Sequence, residues 1–245
     1  MSRLPGSPRA RLRGLLHERL FTRCARWRSS HPVYSVSFDD APASACDVGA
    51  RLVEEAGGRA TFYAAGQLAE KGRDAGYADL ADLRALAARG HHIGCHSYTH
   101  TGLRDQCAAA LRWDAARNRQ VLSDALDGAA VEDFAWPYGE TSLAAKRRLL
   151  VSYRTLRTTN PGLHSGRFDR GALRAVALYG PRFSRERALR WIERAAARKA
   201  WLIFYTHGVD TQPDQHGTHP EDLAWILREC SARGALRTVR DAHAG

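Results

Sequence analysis

From about residue 33 to the end of the chain, short apolar runs alternate with longer stretches whose apolar positions recur at helical spacing. Val33–Phe38 has strand composition, Ala45–Ala56 reads as a helix that stops at Gly57-Gly58, Ala60–Ala64 is a second strand, and a helix is expected over Tyr77–Ala88, ending before Gly90. Further strands are expected at His92–Cys95, Val131–Ala135, Tyr153–Leu156, Leu173–Leu178 and Trp201–Tyr205. Helices are expected at Arg104–Leu126, Leu143–Leu150, Arg185–Arg198 and Glu221–Arg233. Strand then helix, repeated about seven times, implies an α/β fold with a parallel sheet and right-handed crossovers. Periodicity leaves two forms open, an open doubly wound sheet and a closed barrel. No glycine-rich dinucleotide fingerprint or phosphate loop follows the first strand, which removes support from the Rossmann form.

With 245 residues the chain can bury a full core, and one domain is the default reading. The first 31 residues differ from the rest. They are dense in arginine, and Leu12, Leu15, Leu16, Leu20 and Phe21 fall near helical spacing among those charges, as in helices that lie on anionic membranes. A basic arm over residues 1–31 followed by a catalytic domain over 32–245 is therefore expected. An amphipathic helix packed on the domain, or a leader without fixed structure, is the simpler reading of that arm.

The net charge of +11 does not by itself make a nucleic-acid binder. Lysine occurs only at Lys71, Lys146 and Lys199, so the excess is arginine spread along the chain, and no basic stretch is interleaved with stacking aromatics. No nucleic-acid partner is expected. Five cysteines without Cys-x-x-Cys spacing argue against a disulfide framework and a thiolate zinc site. No apolar run resembles a secretory signal or a membrane span. The expected location is the cytoplasm, with peripheral contact at an anionic inner membrane as a second expectation.

The polar candidates fall where expected strands end. Asp39 and Asp40 follow the first strand, His96 and His100 the third, Pro137-Tyr138 the fourth, and His207 the last. In parallel α/β folds those carboxyl ends share one face, where sites are assembled. Two histidines and one carboxylate make a common first shell for Zn²⁺, and a second carboxylate beside it can act as a base. A histidine opposite the ion suits the proton donor for a leaving amine. His164 and His216 are the other histidines expected to have more than a solvent-facing role.

Taken in order, Ser37-Phe38-Asp39-Asp40, Ala60-Thr61-Phe62-Tyr63, Gly94-Cys95-His96-Ser97-Tyr98-Thr99-His100, Phe134-Ala135-Trp136-Pro137-Tyr138-Gly139 and Ile203-Phe204-Tyr205-Thr206-His207 resemble the motifs of the polysaccharide deacetylases of the NodB-homology type, carbohydrate esterase family 4. The resemblance runs from about Val33 to Val239. It implies a distorted (β/α)7 barrel and a divalent metal, usually Zn²⁺, held by Asp40, His96 and His100. It further implies Asp39 as the base, His207 as the general acid, and the main-chain N–H of Tyr138 as an oxyanion donor.

Two departures from the family pattern stand out. Ala135 occupies the place of an arginine that orients the base in the family. The fourth motif, whose aspartate supports the acidic histidine and whose tryptophan lines the pocket, is replaced by Arg157-Thr158-Thr159-Asn160, with Asn160 expected to line the site instead. The expected activity is removal of an N-acyl group, foremost N-acetyl, from an amino sugar in bacterial polysaccharide or lipopolysaccharide metabolism. The expected partner is an amino-sugar glycan or a nucleotide- or lipid-linked sugar. The alternatives are an impaired, glycan-binding barrel and an amidohydrolase acting on a non-sugar amide.

Overall fold

The computed structural model describes residues 23–103, 106–181 and 183–244. The apolar positions Leu12 to Phe21 of the basic arm lie outside them.

The strands in chain order are β1 (Cys24–Arg26), β2 (Val33–Asp39), β3 (Thr61–Ala64), β4 (His92–Cys95), β5 (Asp133–Ala135), β6 (Thr155–Arg157), β7 (Arg167–Asp169), β8 (Val176–Ala177), β9 (Trp201–Thr206) and β10 (Ala235–Leu236). The α-helices are α1 (Ala50–Glu55), α2 (Gly66–Lys71), α3 (Leu80–Ala88), α4 (Ala108–Ala125), α5 (Leu143–Leu149), α6 (Arg185–Arg198), α7 (Pro220–Ser231) and α8 (Val239–Ala244), with a π-helical turn, Ala45–Gly49, leading into α1. Local chemistry sets several boundaries. Asp79 and Asp82 form a reciprocal capping box that starts α3 three residues later than apolar spacing suggests. Ser184 caps α6, which buries Ala188, Ile192 and Ala195 and ends at the left-handed Lys199.

Seven strands follow one another in the order β6-β5-β4-β3-β2-β9-β8, all pairs parallel, with the short β10 also pairing with β2. The sheet curls until its ends meet. Leu173 N–H donates to Leu156 O, Thr158 N–H to Leu173 O and Ala175 N–H to Asn160 O, while Val176 and Ala177 pair with β9, so the stretch from Leu173 to Ala177 joins β6 to β9. The fold is a distorted (β/α)7 barrel in a single domain.

Alternation along each strand divides the core in two. Val36, Phe38, Phe62, Ile93, Phe134 and Phe204 pack outward against the helices. A smaller apolar cluster, including Val33, Trp201, Ile203, Val239 and Ala242, fills the lower lumen. Above it the lumen is polar: Ser35, Ser37, Thr61, Asp133, Thr155 and Arg157 are almost without solvent exposure.

Two segments that apolar patterning does not reveal complete the barrel. Helix α8 closes the bottom, with Val239 N–H donating to Thr61 Oγ1 (2.9 Å) and His243 Nε2 lying 2.9 Å from Asp133 Oδ1. Strand β1 pairs antiparallel with β7, and Trp27 stacks on Trp201 at 5.7 Å while its indole N–H donates to Lys199 O. Residues 23–31, read from sequence as part of the arm, thus pack on the domain.

Candidate metal centre and active site

The carboxyl ends of β2, β4, β5 and β9 open into a cavity of about 740 Å³ lined by Asp39, Asp40, His96, His100, Tyr138 and His207. All six residues expected from the sequence therefore meet in one place.

Adjacent residues of a strand point to opposite faces, so Asp39 and Asp40 need a break in the strand to share a site. The break is at Asp40, whose φ of 64° is followed by 46° at Ala41. Asp39 ends β2 facing the lumen, and Asp40 turns its carboxylate toward the histidines. Non-glycine residues rarely adopt this left-handed backbone. Of the seven that do among the described residues, Asp40, Ala41, Ser97, His100 and Tyr138 belong to this site.

His96 and His100, four positions apart, converge through a tight loop rather than along a helical turn. Asp114 of α4, almost fully buried, holds that loop: it accepts from Tyr98 N–H (2.8 Å), Thr99 N–H (3.1 Å) and Thr99 Oγ1–H (2.7 Å). His100 N–H donates to Ser97 Oγ. The His96 ring is set by its Nδ1, 2.8 Å from the Ala135 carbonyl, which makes Nδ1 the donor and turns the Nε2 lone pair to the cavity.

Ligand atoms of Asp40, His96 and His100 all lie within 4.8 Å of one another. Asp40 Oδ1 is 2.8 Å from His100 Nε2 and 3.5 Å from His96 Nε2, yet this buried oxygen accepts no aligned hydrogen bond. An acceptor left so, facing two imidazole nitrogens, fits a cation among the three. Burial alone would raise the Asp40 carboxyl, but the close approach of the His100 ring and the nearby imidazoles of His96 and His207 outweigh it and hold the group at about 2. Burial pushes His96 down to about 4 and keeps it neutral, the form a metal ligand needs.

Asp39 is 3% exposed and would be a buried lone charge without a counter-ion. Arg157 supplies it: its Nη2 donates to Asp39 Oδ1. Ala135 and Arg157 are direct partners in the register of β5 and β6, so their side chains project side by side from one face. Arg157 thus enters the lumen next to the position where the sequence lacks an arginine, and it lies between the rings of Tyr63 (5.1 Å) and Tyr205 (4.9 Å). A charged residue in the otherwise uncharged run Thr155-Leu156-Arg157 was the sequence signal for it.

His207 faces Asp40 across the cavity, Nε2 to Oδ2 3.9 Å. Tyr179 meets its ring edge-on at 5.3 Å and His216 lies 5.2 Å from it, while His207 N–H donates to the His216 carbonyl. Among the described residues no carboxylate hydrogen-bonds to the imidazole, and its buried Nδ1 has no hydrogen-bond partner. Tyr138 is exposed, with its hydroxyl 3.3 Å from His100 Nδ1 and 3.2 Å from His100 O. Thr159 lines the cavity where Asn160 was expected. His164 is away from it, buried between Trp201 O and the Arg174 N–H. Tyr179 and Asp114 lie outside the recurrent motifs, so spacing did not single them out.

A profile of the polysaccharide deacetylase family matches residues 28–153, more than half of the chain, and the protein belongs to that family. Its fold is shared with the family 4 carbohydrate esterases. The Xyl-CE4 domain of a multidomain xylanase from the hindgut metagenome of Trinervitermes trinervoides superposes with a TM-score of 0.60 at 15% identity, covering 87% of this chain and 90% of that one. A family 4 acetyl xylan esterase from Clostridium thermocellum, solved with a cobalt ion, gives 0.58 at 21% identity over 86% and 90%. A family 4 pseudoenzyme from Bacillus anthracis gives 0.59 at 12% identity over 89% and 67%. No curated protein sequence matches the chain significantly.

Proposed function

We propose that the protein is a divalent-metal-dependent carbohydrate N-deacetylase, with Zn²⁺ the expected ion and an N-acetylated amino sugar of bacterial polysaccharide or lipopolysaccharide metabolism the expected substrate. The observation that carries the reading is the meeting of a His-His-Asp ligand set with a second, arginine-paired carboxylate and an opposing histidine in one cavity. Asp40, His96 and His100 would hold the cation, which when bound polarises the acyl carbonyl and acidifies water.

The chain's own residues account for the rest. Asp39, ionised beside Arg157, accepts the proton of the attacking water. His207 gives a proton to the amine as the C–N bond breaks, so acetate and a free amine leave. The Tyr138 main-chain N–H is assigned to the developing oxyanion. Among the described residues the cavity lining includes Asp210 and Asp214 and no lysine or arginine side chain. This favours a substrate whose sugar enters the cavity while any nucleotide or lipid phosphate stays outside it. Among the described residues no helix is long and apolar enough to cross a membrane; peripheral contact through the basic arm is proposed only from its sequence.

The partnerless Nδ1 of His207 favours a second reading, an impaired barrel that binds glycan without turning it over. Metal content and amine release from free, nucleotide-linked and lipid-linked N-acetylated sugars separate the two. About one ion per chain, with activity abolished by Asp39→Asn at unchanged metal content, supports the deacetylase. A metal-loaded wild type that binds sugar and releases no amine supports the binding barrel.

A further inference from the structure

Beneath the candidate metal site, four buried polar atoms without an aligned hydrogen bond among the described residues belong to three neighbouring side chains: Tyr63 Oη, Asp133 Oδ2, and Arg157 Nε and Nη1. All three residues are 0% exposed and stand on β3, β5 and β6. Buried polar groups left so are uncommon and costly, and several together indicate shared partners.

The geometry gathers them. Tyr63 is the register partner of Asp39 on one side and of Gly94 on the other. A Cβ at Gly94 would fall 2.6 Å from two atoms of the Tyr63 ring and 3.2 Å from the Asp133 carbonyl oxygen. Only glycine lets that ring lie across β4 toward the strand of Asp133. The Arg157 guanidinium rests over the same ring at 5.1 Å. Asp133 is anchored at its other oxygen by Thr155 Oγ1 and by His243 Nε2 at 2.9 Å.

The unmet needs are complementary. Arg157 uses Nη2 on Asp39 and has two nitrogens, Nε and Nη1, without a hydrogen bond; Asp133 Oδ2 has His92 Nε2 at 3.4 Å but no aligned hydrogen bond; the Tyr63 hydroxyl can donate and accept. One or two internal waters among them would satisfy all four atoms. We propose that Tyr63 and Asp133 are positioning residues for the base. Through water shared with Arg157 they fix the roll of its guanidinium, so that Nη2 stays on Asp39. The kinetic part of this role rests on the deacetylase reading above.

Tyr63→Phe is the discriminating variant, because it keeps the ring, its stack on Arg157 and its fit over Gly94 and removes only the hydroxyl. If the hydroxyl is merely an unsatisfied group, its removal leaves the melting temperature unchanged or higher and kcat unchanged. The proposal expects a wild-type crystal structure with ordered water within hydrogen-bond distance of Tyr63 Oη, Arg157 and Asp133. In Tyr63→Phe it expects a guanidinium turned away from Asp39. It also expects kcat lower by about fivefold or more, the worth of one hydrogen bond, at unchanged KM and metal content. Adding Tyr63→Phe to Arg157→Lys should then cost nothing further. A dry lumen, or a Tyr63→Phe structure in which Arg157 still donates to Asp39 with kcat unchanged, overturns it. Asp133→Asn should reproduce the loss, and if that variant fails to fold the Tyr63→Phe result decides. A wild type inactive on every amino sugar would defeat the deacetylase reading, while the placement of Arg157 in the two crystal structures would still decide this one.

Discussion

Arg157 donates to Asp39 across 118 positions of sequence, from the strand next to the one where the family pattern places an arginine. Register makes the exchange possible: in a parallel ladder Ala135 and Arg157 project together, so a guanidinium on either strand can enter the same part of the lumen. Removing it leaves a buried carboxylate unpaired. Arg157→Ala should lower stability by about 3–5 kcal/mol and activity by about a hundredfold, and Arg157→Lys should lose less of both. Chemical denaturation beside turnover checks this; an Arg157→Ala enzyme as stable and active as wild type would show that Asp39 draws its charge balance from elsewhere.

The loop joining the two histidines depends on Asp114, which takes three hydrogen bonds from it. Asp114→Asn keeps the shape but replaces an acceptor oxygen by a donor. Metal affinity should fall about 10- to 100-fold in a chain that still folds, against near-complete loss for His96→Ala. Competition with a calibrated chelator measures it, and unchanged affinity would mean the loop holds its shape unaided.

His92 and His164 are both pushed by burial to about 4, well below the ordinary histidine value. The folded chain therefore keeps them neutral while the unfolded chain takes up protons once pH falls below about 6.5. Their contribution to stability is whole above that value and is lost as pH falls toward 4. Together they should steepen the decline by up to about 3 kcal/mol per pH unit within that window. Urea unfolding at a series of pH values tests this. A stability that stays level from pH 6.5 to 4 would rule it out.

If Tyr138 acts through its main chain, its side chain is dispensable. Tyr138→Phe removes the hydroxyl contacts with His100 and should leave turnover within about threefold, less than the loss of an oxyanion donor. A loss of a hundredfold would assign the chemistry to the phenol.

Much of this architecture is readable from sequence because long apolar strands and capped helices carry their own signals. Strand β4 and helix α6 fall at the residues that periodicity indicates. The elements that escape are short or held by distant partners. Strand β1 exists because β7 offers it an edge and Trp201 a ring to stack on, and α8 exists because Thr61 and Asp133 receive it. The six site residues were visible as motifs at strand ends. The residues that hold them were not, since Asp114 bonds to backbone atoms and Arg157 matters through a register that only the folded sheet defines. What stands in for a carboxylate at His207 has no sequence signature, and the structure supplies rings there, Tyr179 and His216.

Strand β2, which ends at Asp39 and leads directly into Asp40, pairs over six positions with β9, a strand made only after most of the domain has been synthesised. During translation one edge of β2 therefore has no partner, and the cavity lacks His207 and the closing stretch beside β8. Contacts of such long range slow folding and leave an open edge available to other chains. The two halves of the candidate site thus meet only as the barrel closes, and assembly of the site and completion of the fold are one event in the life of each chain.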